Sequence, residues 1–291
     1  MSATLLEKAP AKINLTLRVL GRRADGYHEL ESLVAFADVA DTLTLQPDAK
    51  DRLEIGGPFA GESGPITDNL VLKAYAALNE RIADMRGGFF RLEKNIPVAA
   101  GLGGGSADAA ATLRLVARAN GVALGDPRLM SAAVAVGADV PVCVDSRARI
   151  MRGVGERLSE PIDLPVLPAV LVNPHVGLAT RDVFGKFKGT RSRSSIADVP
   201  REFDTLIEFL KRHDNDLTPP ATVCTPAVGE MLRALQALPR VRLARMSGSG
   251  PTCFALFGSQ GDAIAAAQRL GERQGSWWIQ PTMIGSAAAK S

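Results

Sequence analysis

The 291-residue sequence predicts an α+β protein of two domains, and three observations carry that prediction. Short alternating strand patterns fill the first third of the chain. A glycine run, Gly101-Leu102-Gly103-Gly104-Gly105, then leads straight into an alanine-rich stretch that reads as a helix. Beyond a cluster of prolines, Pro161, Pro165 and Pro168, the texture changes and paired strands alternate with helices. The boundary falls there, giving domains 1–160 and 161–291.

Composition bounds what such a protein does. An apolar fraction of 46% is that of an ordinary globular chain. Thirty-four basic against 31 acidic side chains leave a formal charge of +3, too slight for a bulk field that draws nucleic acid or membrane. Any anion must be held locally. No stretch approaches the roughly 18 apolar residues of a membrane span, and the N-terminus lacks a signal-peptide core, so a cytoplasmic location is expected. Cys143, Cys224 and Cys253 are few, odd in number and far apart, which fits reduced thiols better than disulfides or zinc.

In chain order, residues 5–9 and 13–19 read as strands divided by Pro10. Ile13, Leu15, Leu17 and Val19 alternate with Asn14, Thr16 and Arg18 as a half-buried strand does, which turns Lys12 and Asn14 together away from the apolar face. Residues 21–26 form a turn, and 33–36, 41–46 and 52–55 continue an antiparallel sheet. Asp68-Asn69-Leu70 opens a helix whose apolar stripe reaches Ile82 and which Gly87-Gly88 ends. Strand 89–93 delivers the chain to the glycine loop. Gly121 stands where a left-handed cap closes the loop helix, and Asp126-Pro127 starts another that runs to Val136. Asp139, between Ala138 and Val140-Pro141-Val142, is costly to desolvate, so it is either a hydrogen-bonded structural acid or a working one. In the second half, strands 169–172, 241–246, 253–257 and 277–279 with helices 202–211, 226–238 and 262–273 suggest a split βαβ or ferredoxin-like sandwich. The basic stretch 186–195 reads as a solvated loop.

The glycine loop admits two readings. Dense glycine lets a helix pack tightly on a sheet; it also lets successive N–H groups converge on an anion at a helix N-terminus. No Lys-Ser or Lys-Thr pair follows the last glycine, which excludes a Walker loop, and the strand-first setting and distal acid of a dinucleotide fingerprint are missing. Ser106 could cap the helix, touch phosphate or reach a metal.

Three stretches, Pro10-Ala11-Lys12-Ile13-Asn14-Leu15, Pro97-Val98-Ala99-Ala100-Gly101-Leu102-Gly103-Gly104-Gly105-Ser106 and Met246-Ser247-Gly248-Ser249-Gly250-Pro251-Thr252, resemble in order and spacing the signature motifs of the GHMP kinases. These are small-molecule kinases named for galactose, homoserine, mevalonate and phosphomevalonate. Arg22-Arg23-Ala24-Asp25-Gly26-Tyr27-His28, Gly137-Ala138-Asp139-Val140-Pro141 and Gly153-Val154-Gly155-Glu156 further resemble the branch acting on a cytidine diphosphate derivative of methylerythritol in the non-mevalonate isoprenoid route.

The resemblance implies an N-terminal ribosomal-S5-like ATP domain and a C-terminal ferredoxin-like α/β sandwich. It implies phosphorylation of the substrate's 2-hydroxyl by ATP, with Asp139 as catalytic base and Lys12 beside it to keep the acid ionised and offset charge on the transferred group. Pro97, Gly101, Gly103, Gly104, Gly105 and Ser106 would surround ATP. Asn14, Tyr27, His28, Thr180, Phe184, Gly248, Ser249 and Gly250 would bind the substrate, with the cytosine ring held by Tyr27 and His28 and faced by Phe184. Mg²⁺ would accompany the nucleotide, held by phosphate oxygens and water, since no carboxylate cluster resembles a cage. The implied partner is a small cytidine diphosphate substrate, with neither nucleic acid nor membrane, on a monomer or weak homodimer. Asp108, in the first turn of the loop helix, stays open: relatives vary there between an acid and a neutral amide, and an acid suits the helix dipole but repels phosphate. Two other readings stand beside this one. A mevalonate or homoserine kinase has no base for Tyr27 and His28 to hold, and a non-catalytic phosphate- or RNA-binding protein has no need of a base such as Asp139.

Overall fold

The structure, a computed structural model, describes residues 3–47, 49–189 and 195–285. In chain order the elements are β1 (Leu5–Asn14), β2 (Arg18–Arg22), β3 (His28–Pro47), β4 (Arg52–Gly56), α1 (Leu70–Asn79), β5 (Gly88–Glu93), α2 (Gly104–Ala119), α3 (Pro127–Val136) and α4 (Val140–Asp145). There follow β6 (Arg149–Gly153), β7 (Arg157–Leu158), β8 (Leu167–Asn173), α5 (Thr180–Lys186), α6 (Phe203–Arg212), α7 (Thr218–Cys224), α8 (Pro226–Gln236), β9 (Leu243–Met246), β10 (Cys253–Leu256), α9 (Gln260–Gly271) and β11 (Trp278–Gly285). Contacts divide the chain into two compact units. The first comprises the chain up to Ala11, Ala40–Val98 and Gly103–Ser146; the second comprises Lys12–Val39, Ala99–Leu102 and the chain from Arg147 on.

In the first unit the end of β3 pairs antiparallel with β5, Thr42 opposite Glu93, and β4 adds to β5 in parallel. A parallel pair needs a crossover, and α1 supplies it. The Asn69 side chain caps α1 by accepting from Val71 N at 2.9 Å. The helix ends at Asn79, short of the predicted Ile82, whose N–H still bonds to Leu78 O at 2.9 Å in the turn that follows. Helix α2 is buried along most of its length, and its alanines, Ala107 and Ala109 to Ala111, let α1, α3 and α4 approach closely. Gly121 has φ +67°, as a left-handed cap requires, and Val122 N closes the turn on Ala117 O at 2.9 Å. Asp126 accepts from Arg128 N at 2.8 Å and starts α3 as predicted.

The second unit contains the split βαβ pattern. Strands β8, β9, β10 and β11 lie in the order β11-β8-β10-β9, every neighbour antiparallel, with α8 and α9 on the connections. Val170, Val172, Met231, Leu235, Ala255 and Ala263 belong to its core. The start of β3 pairs with β2 and β6, Leu30 lying opposite both Val19 and Gly153.

Three expectations need correction. Pro10 does not divide a strand: β1 runs through it, and 33–36 and 41–46 are parts of the single 20-residue β3. The half-buried reading of Lys12 and Asn14 fails, since they are 4% and 5% exposed and every residue from Ala9 to Asn14 is buried. Alternation signals one wet face only where one face is left uncovered, and here neither is. Helices α4, α5 and α7 and strands β6 and β7 were not legible, being two to seven residues long. No helix among the described residues is long and apolar enough to cross a membrane.

Candidate active site

The three motifs meet in the second unit through hydrogen bonds. Asn14 N, at the end of β1, donates to Ser247 Oγ at 3.1 Å, and Ser247 Oγ donates to Gly101 O at 3.0 Å. Lys12 N donates to Leu102 O at 2.8 Å and Thr252 N to Ala100 O at 3.1 Å. Residues 12–14, 99–102 and 246–252 are therefore one hydrogen-bonded assembly within that unit.

Glycine is required at the junction for a steric reason. A Cβ on Gly101, whose φ is +74°, would lie 2.7 Å from the backbone oxygens of both Gly250 and Ser247. One on Gly248, with φ +58°, would lie 3.1 Å from Gly101 O and 3.3 Å from Asn14 Oδ1. The loop also holds Ala99 at φ +52°, a conformation that costs a non-glycine residue about 1–2 kcal/mol and marks stored strain.

Asn14 is fixed from the other side, its Nδ2 donating to Ser32 Oγ at 2.7 Å. Asn215, which the sequence did not single out, donates from Nδ2 to Met246 O and Gly248 O, both at 2.8 Å, and so shapes the third motif. Asn173 does the same at its far end, donating to Thr252 Oγ1 at 2.8 Å. The signal for Ser247 lay in the motif itself; Asn173 and Asn215 stand in no recognisable local pattern. Thr180 and Ser249, both predicted for the substrate, are joined by a 2.9 Å hydroxyl contact.

The rings predicted for the base lie in the same unit. His28 stacks on Phe184 with ring centroids 4.8 Å apart and planes 24° from parallel. Phe187 meets His28 edge-on at 6.3 Å. Tyr27 is 66% exposed at the tip of the β2–β3 turn. Burial, and secondly the charge of Arg22, hold the His28 pKa below the ordinary value, which favours a neutral imidazole with one donor and one acceptor edge. In the same unit Glu31, 1% exposed, accepts from Arg18 and Ile196 N on one oxygen and from Arg152 and Ser195 on the other. Burial raises the Glu31 pKa, but these bonds outweigh it and hold the group below the usual carboxylate value.

The first unit carries the remaining candidates. Gly103, left-handed at φ +62°, is the N-cap of α2, and the first helical bond runs from Ala107 N to Gly103 O at 2.9 Å. Gly104, Gly105 and Ser106 therefore form a first turn whose N–H groups precede any intrahelical bond, the feature that suits an anion. Pro97 is buried just before the loop. Ser106 is the third helical residue and does not cap the helix. Asp108 does not lie in the first turn either; it is 3% exposed and paired with Lys94. Asp139 is the N-cap residue of α4 and half-buried. Arg114 on α2 donates to Cys143 O and Val144 O at 2.9 and 3.1 Å, fixing the other end of α4. Lys12 and Asp139 thus belong to different units.

A glycine loop opening a buried helix, a glycine-serine turn joined to it, and a ferredoxin-like half are the features of a small-molecule kinase of the GHMP class. The family models agree: "GHMP kinases N terminal domain" matches residues 69–147 and "GHMP kinases C terminal" matches 195–276. The 4-diphosphocytidyl-2-C-methyl-D-erythritol kinase of Nitrobacter hamburgensis is 54% identical over 96% of this chain and 95% of its own. A crystal structure of 4-(cytidine 5'-diphospho)-2C-methyl-D-erythritol kinase superposes with a TM-score of 0.78 at 34% identity, covering 97% of this chain and 99% of the other. A homoserine kinase from Cytophaga hutchinsonii shares the fold, with a TM-score of 0.70 at 19% identity over 98% and 96% of the two chains. The chain belongs to the GHMP kinase family, in its 4-diphosphocytidyl-2-C-methyl-D-erythritol kinase branch, and is an ATP-dependent small-molecule kinase.

Proposed function

We propose that this enzyme transfers the γ-phosphoryl group of ATP to the 2-hydroxyl of 4-diphosphocytidyl-2-C-methyl-D-erythritol, in the non-mevalonate route to isoprenoids. The observation that carries the reading is the hydrogen-bonded junction of all three kinase motifs through Ser247 and Gly101. The high identity to relatives named for this substrate supports the choice of acceptor.

In this reading Asp139 takes the proton of the acceptor hydroxyl as its oxygen attacks the γ-phosphorus, the bond to the β-phosphate oxygen breaks and ADP leaves. Lys12 offsets charge on the transferred group. Gly103 to Ser106 bind phosphate oxygens through backbone N–H groups, with Pro97 and Gly101 shaping the loop. Asn14, Thr180, Gly248, Ser249 and Gly250 hold the polyol diphosphate. His28 offers its ring edge to the cytosine, whose faces pack on Tyr27 and Phe184.

Among the described residues no group of three or more His, Cys, Asp or Glu side chains could hold a metal. Mg²⁺ would accompany the nucleotide, held by phosphate oxygens and water, and would offset phosphate charge. The reading places the enzyme in the cytoplasm, as a monomer or weak homodimer.

A mevalonate or homoserine acceptor is disfavoured by the His28–Phe184 stack, which those substrates leave without a base to recognise. ATP-dependent phosphorylation of the cytidine substrate, compared with mevalonate and homoserine, tests the choice. Turnover of either alternative at an equal or higher kcat/KM overturns it.

A further inference from the structure

Beneath the first turn of α2 lies a group of buried charges that no step of the proposed reaction uses, all within the first unit. Lys94, just past the end of β5, is 4% exposed, and its ammonium donates to Asp41 Oδ2 and, at 2.7 Å, to Asp108 Oδ2. Asp41, on β3, is fully buried, and its Oδ1 accepts from Asn95 N at 2.6 Å and Ile96 N at 2.9 Å, the two residues before Pro97. Asp108 lies on α2 one turn past Gly104, and its Oδ1 is a buried oxygen with no hydrogen-bond partner. A Cβ on Gly104 would sit 3.5 Å from Lys94 Nζ and 3.6 Å from Asp41 Oδ2, so the charges lie directly under the first helical residue.

Stability alone is a poor reason for this arrangement. Two carboxylates share one ammonium, one oxygen is left unsatisfied, and an apolar replacement of a buried ionic group is often as stable or more so. Geometry is the better reason. Asp41 fixes the backbone that leads into the glycine loop, Asp108 is rooted in the helix that leads out of it, and Lys94 ties the two together. We propose that Lys94, Asp41 and Asp108 are positioning residues: a buried clamp that sets the spacing between residues 95–97 and the first turn of α2, and so presets the backbone donors for the ATP phosphates.

The clamp also accounts for an acid in this helix. Burial pushes Asp108 up to about 7, against the pull of Lys94 and with the help of the Asp41 charge. Lys94 is raised in turn, the two carboxylates outweighing the burial that opposes them. Near neutral pH Asp108 can keep its proton, the cluster approaches charge balance, and little net negative charge sits under a phosphate site.

The proposal rests on the loop being the ATP site, so the wild type is measured first, by calorimetric titration with a non-hydrolysable ATP analogue. Asp108→Ala removes an acceptor from Lys94 and is expected to raise the KM for ATP about tenfold, with the KM for the cytidine substrate changed less than about twofold. Asp108→Asn keeps an acceptor oxygen and should restore the wild-type KM for ATP. Should Asp108→Ala prove insoluble, Asp41→Asn carries the same test, because it keeps one oxygen for the two backbone N–H groups and removes the acceptor of Lys94. An unchanged KM for ATP in the soluble variants, with only the melting temperature lowered, overturns the clamp. No analogue binding by the wild type overturns the ATP-site reading beneath it, and the clamp with it.

Discussion

Gly101→Ala tests the junction of the motifs most directly. The native φ of +74° is left-handed, which costs an L-residue about 1–2 kcal/mol. The new methyl carbon would also lie 2.7 Å from two backbone oxygens, those of Gly250 and Ser247, and backbone cannot swing aside as a flexible side chain can. Overpacking of this kind adds roughly 1–3 kcal/mol, so the total is about 2–5 kcal/mol. At roughly 2–4 °C per kcal/mol for a chain of this size, the melting temperature should fall by about 4–20 °C. Gly121→Ala is the control: its φ is +67°, nothing lies within 4 Å of its Cβ, and it therefore bears the strain alone. That variant should lose only about 2–8 °C and keep its kinetics. Differential scanning calorimetry gives the first comparison, and KM for both substrates below the transition gives the second, where Gly101→Ala alone should raise both values. Equal losses of stability in the two variants would refute the claim that contact between 99–102 and 246–252, and not backbone strain, makes glycine necessary at position 101.

Other outcomes follow from the same geometry. Asp139→Asn should leave binding of the ATP analogue near normal and slow turnover by about a hundred- to ten-thousand-fold, the usual worth of a positioned base; near-normal kcat removes Asp139 from the reaction. Phe184→Ala removes the ring under His28 and should raise KM for the cytidine substrate by roughly 5- to 100-fold, the worth of one aromatic-base stack, with KM for ATP unchanged. Asp108 has a folded pKa raised above its unfolded value, so the folded state binds the extra proton and stability is lost as pH rises from about 4 to about 7. Asp108→Asn cannot ionise, so its melting temperature relative to the wild type should climb across that interval in thermal scans; a constant difference would show that Asp108 does not titrate there.

Much of this was legible because the relevant signals are local. Asp126-Pro127, the left-handed Gly121 and the alternation of β8, β10 and their helices are short-range patterns, and the elements appear where those patterns put them. The failures share a cause. Asn14 reads as solvent-facing because its neighbours alternate, yet the structure buries it and satisfies its amide with Ser32, a residue of another strand. Asp108 reads as a first-turn acid facing phosphate, yet α2 begins at Gly104, which rotates Asp108 inward onto Lys94. Asn215 is invisible for the same reason, since its partners are carbonyls more than 30 residues away. A polar side chain's purpose depends on which strand or loop covers it, and that is a property of tertiary packing.

Ser247 explains why the third motif begins as it does. Its hydroxyl has one proton and two lone pairs, and both functions are used: it donates to Gly101 O and accepts from Asn14 N. Alanine would strand a buried N–H and a carbonyl together, at about 1–3 kcal/mol for each group, and a carboxylate or amide is too long for a gap between two backbone atoms. Because the donated and accepted bonds run head to tail through one oxygen, each polarises the other, and the loop at Gly101 and the strand end at Asn14 are coupled through a single side chain. A shift of the loop at Gly101 would therefore be felt at Asn14. The Lys94 clamp sets the first turn of α2 from within its own unit, and Ser247 sets residues 99–102 from within the other.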